Sequence, residues 1–242
     1  LAVEKADPEI AREIGKGLAR GAEMSRIAMI GGETASLPEI IKYFDLAGTG
    51  IGIVDADKII TGENINDGDV LIGIESSGIH SNGLSLARKV FFDKLSLNVK
   101  DALPYDPDTT VGEELLRPTE IYVKPVVDLL NEDIEIHGLA HITGGGFLNL
   151  KRLKKGIGYD INNLPQPYSI FKSIYSADVP LEEMYRVFNM NIGFVVIVPP
   201  EEADKTMKII KRHNNAYKIG FAKEDKEENI KIKAFNGNVI NL

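Results

Sequence analysis

Two apolar periods, one of about 3.6 and one of two residues, account for most of this chain. Asp7-Pro8-Glu9 reads as a helix cap, a first-turn proline and an acidic first turn, and Ile10, Ile14 and Leu18 with Ala11 and Ala22 share one helical face. A helix from Pro8 to about Met24 follows. Residues 27–30 predict a short buried strand, and residues 43–54 a second, glycine-rich one. The run Val70-Leu71-Ile72-Gly73-Ile74 predicts a strand, and residues 84–91 a helix, with a polar loop between them. Further on, residues 118–130 read as a helix kinked at Pro125, and residues 134–142 as a strand. Phe147, Leu150 and Leu153 mark a helix, with others at 169–175, 181–188 and 201–211. Strands are predicted at 193–198 and 216–222, and a hairpin turns at Asn236-Gly237-Asn238 after residues 230–235.

Helices and strands therefore intermix, which places the fold in the mixed α/β (α+β) class. The polar, turn-rich stretch 61–69 is the expected domain boundary, set near Asp67, so that residues 1–66 form one domain and 67–242 the other.

Composition changes this picture mainly by exclusion. A length of 242 residues with 43% apolar and 26% charged content suits a globular protein with a real core. The formal charge is −8, with 28 basic against 36 acidic residues, which disfavours nucleic acid as a partner. A small phosphorylated ligand stays compatible with it. Zero cysteines remove disulfides and thiolate chemistry. No apolar stretch approaches a bilayer span, so no membrane role is expected and the simplest location is cytoplasmic.

The chemistry concentrates in three polar patches that each follow a predicted strand. The richest is Glu75-Ser76-Ser77-Gly78-Ile79-His80-Ser81-Asn82-Gly83, where hydroxyls, an amide and glycines meet a helix start. Such a place favours an anion, because unpaired N–H groups and the helix dipole converge there. The plainer alternative is a turn with Ser81 or Asn82 as the helix cap. The second patch is His141-Ile142-Thr143-Gly144-Gly145-Gly146, and the third Gly31-Gly32-Glu33-Thr34. Ligands of open α/β sheets gather at strand carboxyl ends, so the three are expected to share a cleft. Glu33 is either a Mg²⁺ ligand or a helix-start acid. Arg186, in Glu182-Glu183-Met184-Tyr185-Arg186, either clamps a phosphate or pairs with a glutamate one turn back.

Taken together, these motifs resemble the aminoimidazole ribonucleotide synthetases, the phosphoribosylformylglycinamidine cyclo-ligases of purine biosynthesis. The resemblance rests on Gly31-Gly32-Glu33-Thr34, on residues 76–83 with Ser85-Leu86 and Arg88-Lys89, and on Pro118-Thr119-Glu120-Ile121-Tyr122-Val123-Lys124. Ala140 to Gly146, Glu183 to Met190 and Lys218-Ile219-Gly220 complete it, in family order across essentially the whole chain. It implies a two-domain synthetase, with a mixed sheet flanked by helices in the second domain. The implied reaction is ATP-dependent. ATP phosphorylates the formyl oxygen of formylglycinamidine ribonucleotide, and an amidine nitrogen then closes the ring, releasing ADP and phosphate.

On that resemblance, His80 and Arg186 are the catalytic residues. Ser76, Ser77, Gly78, Ser81, Asn82, Gly83, His141, Thr143, Gly144, Gly145 and Gly146 bind substrate. Gly32, Glu33 and Thr34 bind ATP, with Glu33 on Mg²⁺. Homodimers are implied as well, with residues 1–66 the remainder of an ATP-binding and dimerisation domain and 67–242 the substrate domain. Two departures stand out. Nothing in the first 24 residues resembles the family's opening ATP segment, so the chain reads as missing the front of that domain. Asn191 stands where the family usually has glycine, and asparagine tolerates a left-handed backbone better than most residues. Alternatives are another ATP-using relative, of the selenophosphate synthetase, thiamine-phosphate kinase or hydrogenase-maturation type, or a non-catalytic ligand-binding fragment.

Overall fold

Residues 1–242 are all described by the computed structural model, and they divide into two units, Leu1–Ile59 and Ile60–Leu242. In the first unit, Asp7 caps the helix α1 (Pro8–Ser25) by accepting from the backbone N–H groups of Glu9 and Ile10 at 2.8 and 3.2 Å. Arg26 ends it in the left-handed region. Three two-residue strands, β1 (Ala2–Val3), β2 (Ala35–Ser36) and β3 (Phe44–Asp45), form a small sheet in the order β2-β1-β3. No residue of α1 is buried, and Val3 is the unit's one buried apolar side chain.

The longer strands expected here do not form. Residues 27–30 pair with nothing, and of residues 43–54 only β3 pairs. Ile30 is 86% exposed and Ile53 100%. A strand exists only where another strand satisfies its backbone groups, and periodicity alone supplies no partner.

The second unit is built on seven strands: β4 (Val70–Glu75), β7 (Gly138–His141), β8 (Ile157–Ile161), β9 (Ile192–Val198), β10 (Ala216–Glu224), β11 (Ile230–Lys233) and β12 (Val239–Asn241). Their order is β12-β11-β8-β10-β4-β9-β7, antiparallel except between β8 and β11. A separate two-strand ribbon joins β5 (Ala102–Leu103) to β6 (Asp106–Thr110). Both faces of the main sheet are buried, which explains the unbroken apolar run of β4. Leu71 with Val195 and Ile197 faces one core, which takes side chains from α2 (Leu84–Arg88), α5 (Ser169–Tyr175) and α6 (Leu181–Val187). Ile72, Ile74, Val196 and Val198 face the other, covered by α4 (Val123–Asn131) and α7 (Ala203–Ile210).

Several local expectations are corrected. α4 begins at Val123, so Pro125 lies in its first turn, where no intrahelical N–H bond is due, and it does not kink the helix. Residues 118–122 stay non-helical. α2 passes directly into a π-helix, Lys89–Lys94, and the helix after Gly145 is a 3₁₀ segment, Gly146–Arg152. The strand expected over 134–142 is only the four residues of β7. A short helix, α3 (Val111–Leu115), is set by a capping box between Thr110 and Glu113.

Candidate active site

β4 and β7 both run antiparallel to β9, so their carboxyl ends emerge at the same edge of the sheet as the start of β9. This edge carries residues 76–83, residues 141–146 and the turn 189–191. Two of the three polar patches therefore meet here. Their junction is direct: the Asn82 side-chain amide donates to Thr143 Oγ1 at 2.5 Å. That leaves the threonine's own proton for an anion.

The cap alternative for Ser81 and Asn82 falls away. The residue before α2 is Gly83, at φ 75°, and it offers no side-chain cap. Ser81 Oγ instead lies 3.0 Å from Thr119 Oγ1. At Gly83 a Cβ would stand 2.3 Å from Phe188, so glycine is required on two counts. Gly146 is the second such position. Its φ is 53°, and a Cβ there would come within 2.1 Å of the Tyr185 carbonyl oxygen. The glycine run thus lets the loop's backbone lie against the end of α6. Asn149 ties the same run together, donating to the carbonyls of Gly144 and Gly146 at 3.2 and 2.8 Å.

The serine loop is fixed from several sides. Ser76 is buried, donates from Oγ to Asn189 Oδ1 at 2.9 Å, and its N–H donates to the Asn191 carbonyl. Asn189 in turn donates to the Gly78 carbonyl at 2.8 Å. Ser77 donates from Oγ to the Pro118 carbonyl at 2.6 Å, and its own carbonyl accepts from Arg117 Nη1 at 3.3 Å. Asn191 adopts φ 78°, in keeping with asparagine's tolerance of that region, and its side chain also holds the 166–168 segment.

His80 is the centre of this loop and is 4% exposed. Its Nε2 accepts two backbone N–H bonds, from Ser77 at 3.1 Å and Glu120 at 3.4 Å. An imidazole accepting at Nε2 carries its proton on Nδ1, and Nδ1 is buried without a protein partner. Burial, with a smaller contribution from the nearby His141, lowers the His80 pKa to about 4. The ring is therefore neutral at physiological pH, and with its Nε2 lone pair already accepting two N–H bonds, the group it has left to offer is the Nδ1–H donor. His141 lies at the end of β7, stacked on Phe194 with ring centres 6.2 Å apart, and burial lowers its pKa too. Tyr122 stands between the two histidines and donates to the Glu75 carbonyl at 3.0 Å.

Arg186 lies in the last turn of α6 with an exposed side chain and forms no ion pair with Glu182 or Glu183. Gly32, Glu33 and Thr34 belong to the first unit and are exposed there. No group of three acidic or histidine side chains is arranged to hold a metal, and Glu33 alone does not make a metal site. A cleft of about 440 Å³ between Asn66, Lys154 and Lys226 lies at the opposite end of β4 and contains none of these residues.

Sequence reasoning missed Asn189, Tyr122, Glu120 and Arg117 as parts of this arrangement. Each reaches the serine loop from 40 or more residues away. The signals available were the motifs at 118–124, which holds Glu120 and Tyr122, and at 183–190, which holds Asn189; Arg117 lies in neither.

Residues 66–233 match the family of the AIR synthase related protein, C-terminal domain. The chain is 63% identical over 240 residues to a phosphoribosylformylglycinamidine cyclo-ligase of Methanobrevibacter smithii, covering 99% of this chain and 70% of that protein. It is 56% identical over 242 residues to the same enzyme of Methanothermobacter thermautotrophicus, again covering 70% of it. In fold, it is similar to the hydrogenase maturation protein HypE, with a TM-score of 0.69 at 16% identity over all of this chain and 73% of HypE. A structure of HypE in complex with ATP gives 0.68 at 17%, over all of this chain and 70% of that one. At 56–63% identity to proteins of one activity, with the family's domain spanning residues 66–233, the chain belongs to the phosphoribosylformylglycinamidine cyclo-ligases, the ATP-using ligases that form aminoimidazole ribonucleotide in purine biosynthesis.

Proposed function

We propose that the edge built by residues 76–83, 141–146 and 189–191 binds formylglycinamidine ribonucleotide and directs its ring closure. The observation that carries this reading is His80: a neutral imidazole with two backbone N–H groups on Nε2 and a buried, unused donor at Nδ1. A donor held in that way suits the oxygen on which negative charge develops during closure. Ser81, Asn82 and Thr143 offer neutral donors to the ribose phosphate, and Arg186 an exposed guanidinium, whereas both donors of Ser77 are already used within the loop. Positioning matters more than acid–base strength here, because the closing step is intramolecular.

ATP supplies the phosphoryl group that turns the formyl oxygen into a leaving group. Gly32, Glu33 and Thr34 are the residues of this chain assigned to it, with residues 1–66 as the nucleotide and dimer side and 67–242 as the substrate side. Mg²⁺ would come with the ATP phosphates, with Glu33 as a single carboxylate, and no step is routed through it. The homodimer reading is supported by the first unit's exposed apolar residues, among them Ile30, Ile51 and Ile53. No helix is long and apolar enough to cross a membrane, and a cytoplasmic location goes with purine synthesis.

Full-length protein given formylglycinamidine ribonucleotide, ATP and Mg²⁺ releases aminoimidazole ribonucleotide, read by diazo coupling. His80→Ala lowers kcat by about 100-fold or more. The kcat profile of the unaltered enzyme shows no step from His80 between about pH 5.5 and 8, because that imidazole titrates near 4. A His80→Ala enzyme with undiminished turnover would sink this site.

A further inference from the structure

The motif Pro118-Thr119-Glu120-Ile121-Tyr122-Val123-Lys124 has so far carried only family resemblance. The structure shows what its first half does. Its first three residues, with Arg117 immediately before them, each hold a different point of the serine loop. Arg117 Nη1 donates to the Ser77 carbonyl, and the Pro118 carbonyl accepts from Ser77 Oγ. Thr119 Oγ1 meets Ser81 Oγ, and the Glu120 N–H donates to His80 Nε2. The segment is non-helical, which frees its backbone groups for these bonds.

Arg117 is the point where this strap is itself anchored. Its Nη2 lies 2.7 Å from Oε2 of Glu114, whose side chain is 4% exposed, while its Nη1 reaches Ser77. One planar fork thus joins a buried carboxylate to the loop, an arrangement an ammonium cannot reproduce. Burial raises the Glu114 pKa, but the Arg117 charge opposes that rise. The pair also forms the floor under Gly78, where a Cβ would stand 3.3 Å from both Arg117 Cδ and Glu114 Oε1.

We propose that Arg117, anchored on buried Glu114, is the positioning residue for His80: by fixing Ser77 it aligns the two backbone donors that keep the imidazole proton on Nδ1. This rests on reading His80 as the donor to substrate, but the alignment itself can be measured without substrate. The other titratable groups around the ring are His141 from the end of β7 and Tyr122 ahead of α4. Neither depends on the Arg117 fork.

The test follows the chain's four histidines by NMR across pH, with His80 assigned from a His80→Asn variant. In the unaltered chain His80 titrates at about 4. In Arg117→Ala and in Arg117→Lys its midpoint rises by about one unit, because the Nε2 bonds loosen in both. Glu114→Gln moves it in the same direction by less. If Arg117 acted only through its charge, the lysine variant would match the unaltered chain, and that result overturns the proposal. So does an alanine variant with no shift. In turnover, Arg117→Lys lowers kcat about tenfold with KM held within about twofold. A raised KM at unchanged kcat would instead make Arg117 a direct substrate ligand and remove the positioning role. Full turnover in His80→Ala would defeat the functional reading while leaving the titration result standing.

Discussion

α1 and α7 are both amphipathic helices, one of 18 residues in the first unit and one of eight in the second. The longer one has the better start, with an aspartate cap and a proline in its first turn, yet it buries nothing. The shorter one has no side-chain cap and buries Ala203, Thr206, Ile209 and Ile210 against the sheet. Capping and periodicity define a helix and its apolar face. They do not provide what the face packs on, and most helical stability in proteins comes from that packing. The same contrast holds for strands: residues 43–54 are as apolar as many that pair, but only two of them do. The polar edge described above lies wholly in the unit that covers its own apolar surface.

Substitutions sharpen this contrast. Phe188 is fully buried, 5.9 Å from the Phe171 ring and against Gly83. Phe188→Ala costs the second unit about 3–5 kcal/mol in urea unfolding followed by circular dichroism. Ile53→Ser, at a fully exposed position, stays within about 0.5 kcal/mol. Comparable losses at both positions would erase the distinction.

Glycines give a smaller effect of the same kind. Gly146→Ala forces a Cβ into the Tyr185 carbonyl and holds alanine in the left-handed region, for about 1–3 kcal/mol in the same measurement. Gly50 has open space around it, and Gly50→Ala is neutral or stabilising by up to about 1 kcal/mol.

The smallest effect depends on pH. All four histidines lie in the second unit. Burial, the largest single influence on His137, lowers its pKa, but hydrogen bonds and charges from Asp69 and Glu135 together outweigh it, and the net shift is upward. The Asp69 bond is 2.6 Å and the Glu135 bond 3.1 Å. A folded pKa above the unfolded one means folding takes up a proton. The contribution is complete below about pH 6.5 and fades as pH rises through the folded value. His80 and His141, both lowered, contribute the opposite slope, so the quantity to follow is the difference between the unaltered chain and His137→Asn. That difference shrinks from pH 6 to pH 9. A difference that grows over that range would reverse the assignment.

Legibility in the sequence follows the same division. Residues 169–175 are helical as their spacing predicts, and β4, the serine loop and α2 come in the order read from the pattern. These are local signals confirmed by a covered apolar face. Pro125 misled because its effect depends on where the helix begins, and nothing local marks Val123 as that point. In the site, Ser76, His80, Asn82 and Thr143 stand out in the sequence as polar residues among glycines after apolar runs. Arg117, Glu120 and Asn189 do not, because what they hold is decided by which strands become neighbours.

The Asn189 amide, which binds the carbonyl of Gly78 across 111 positions of chain, sets an order of assembly. Its bonds close a loop far longer than any hairpin, and such a closure is entropically costly until other structure has brought the ends together. β4 must find β9 before the amide can reach the serine loop. The strap from Arg117 to Glu120 lies inside that span and closes its own loop of 40 residues onto the same segment. On the proposed reading of this edge, a refolding experiment recovers secondary structure before it recovers turnover.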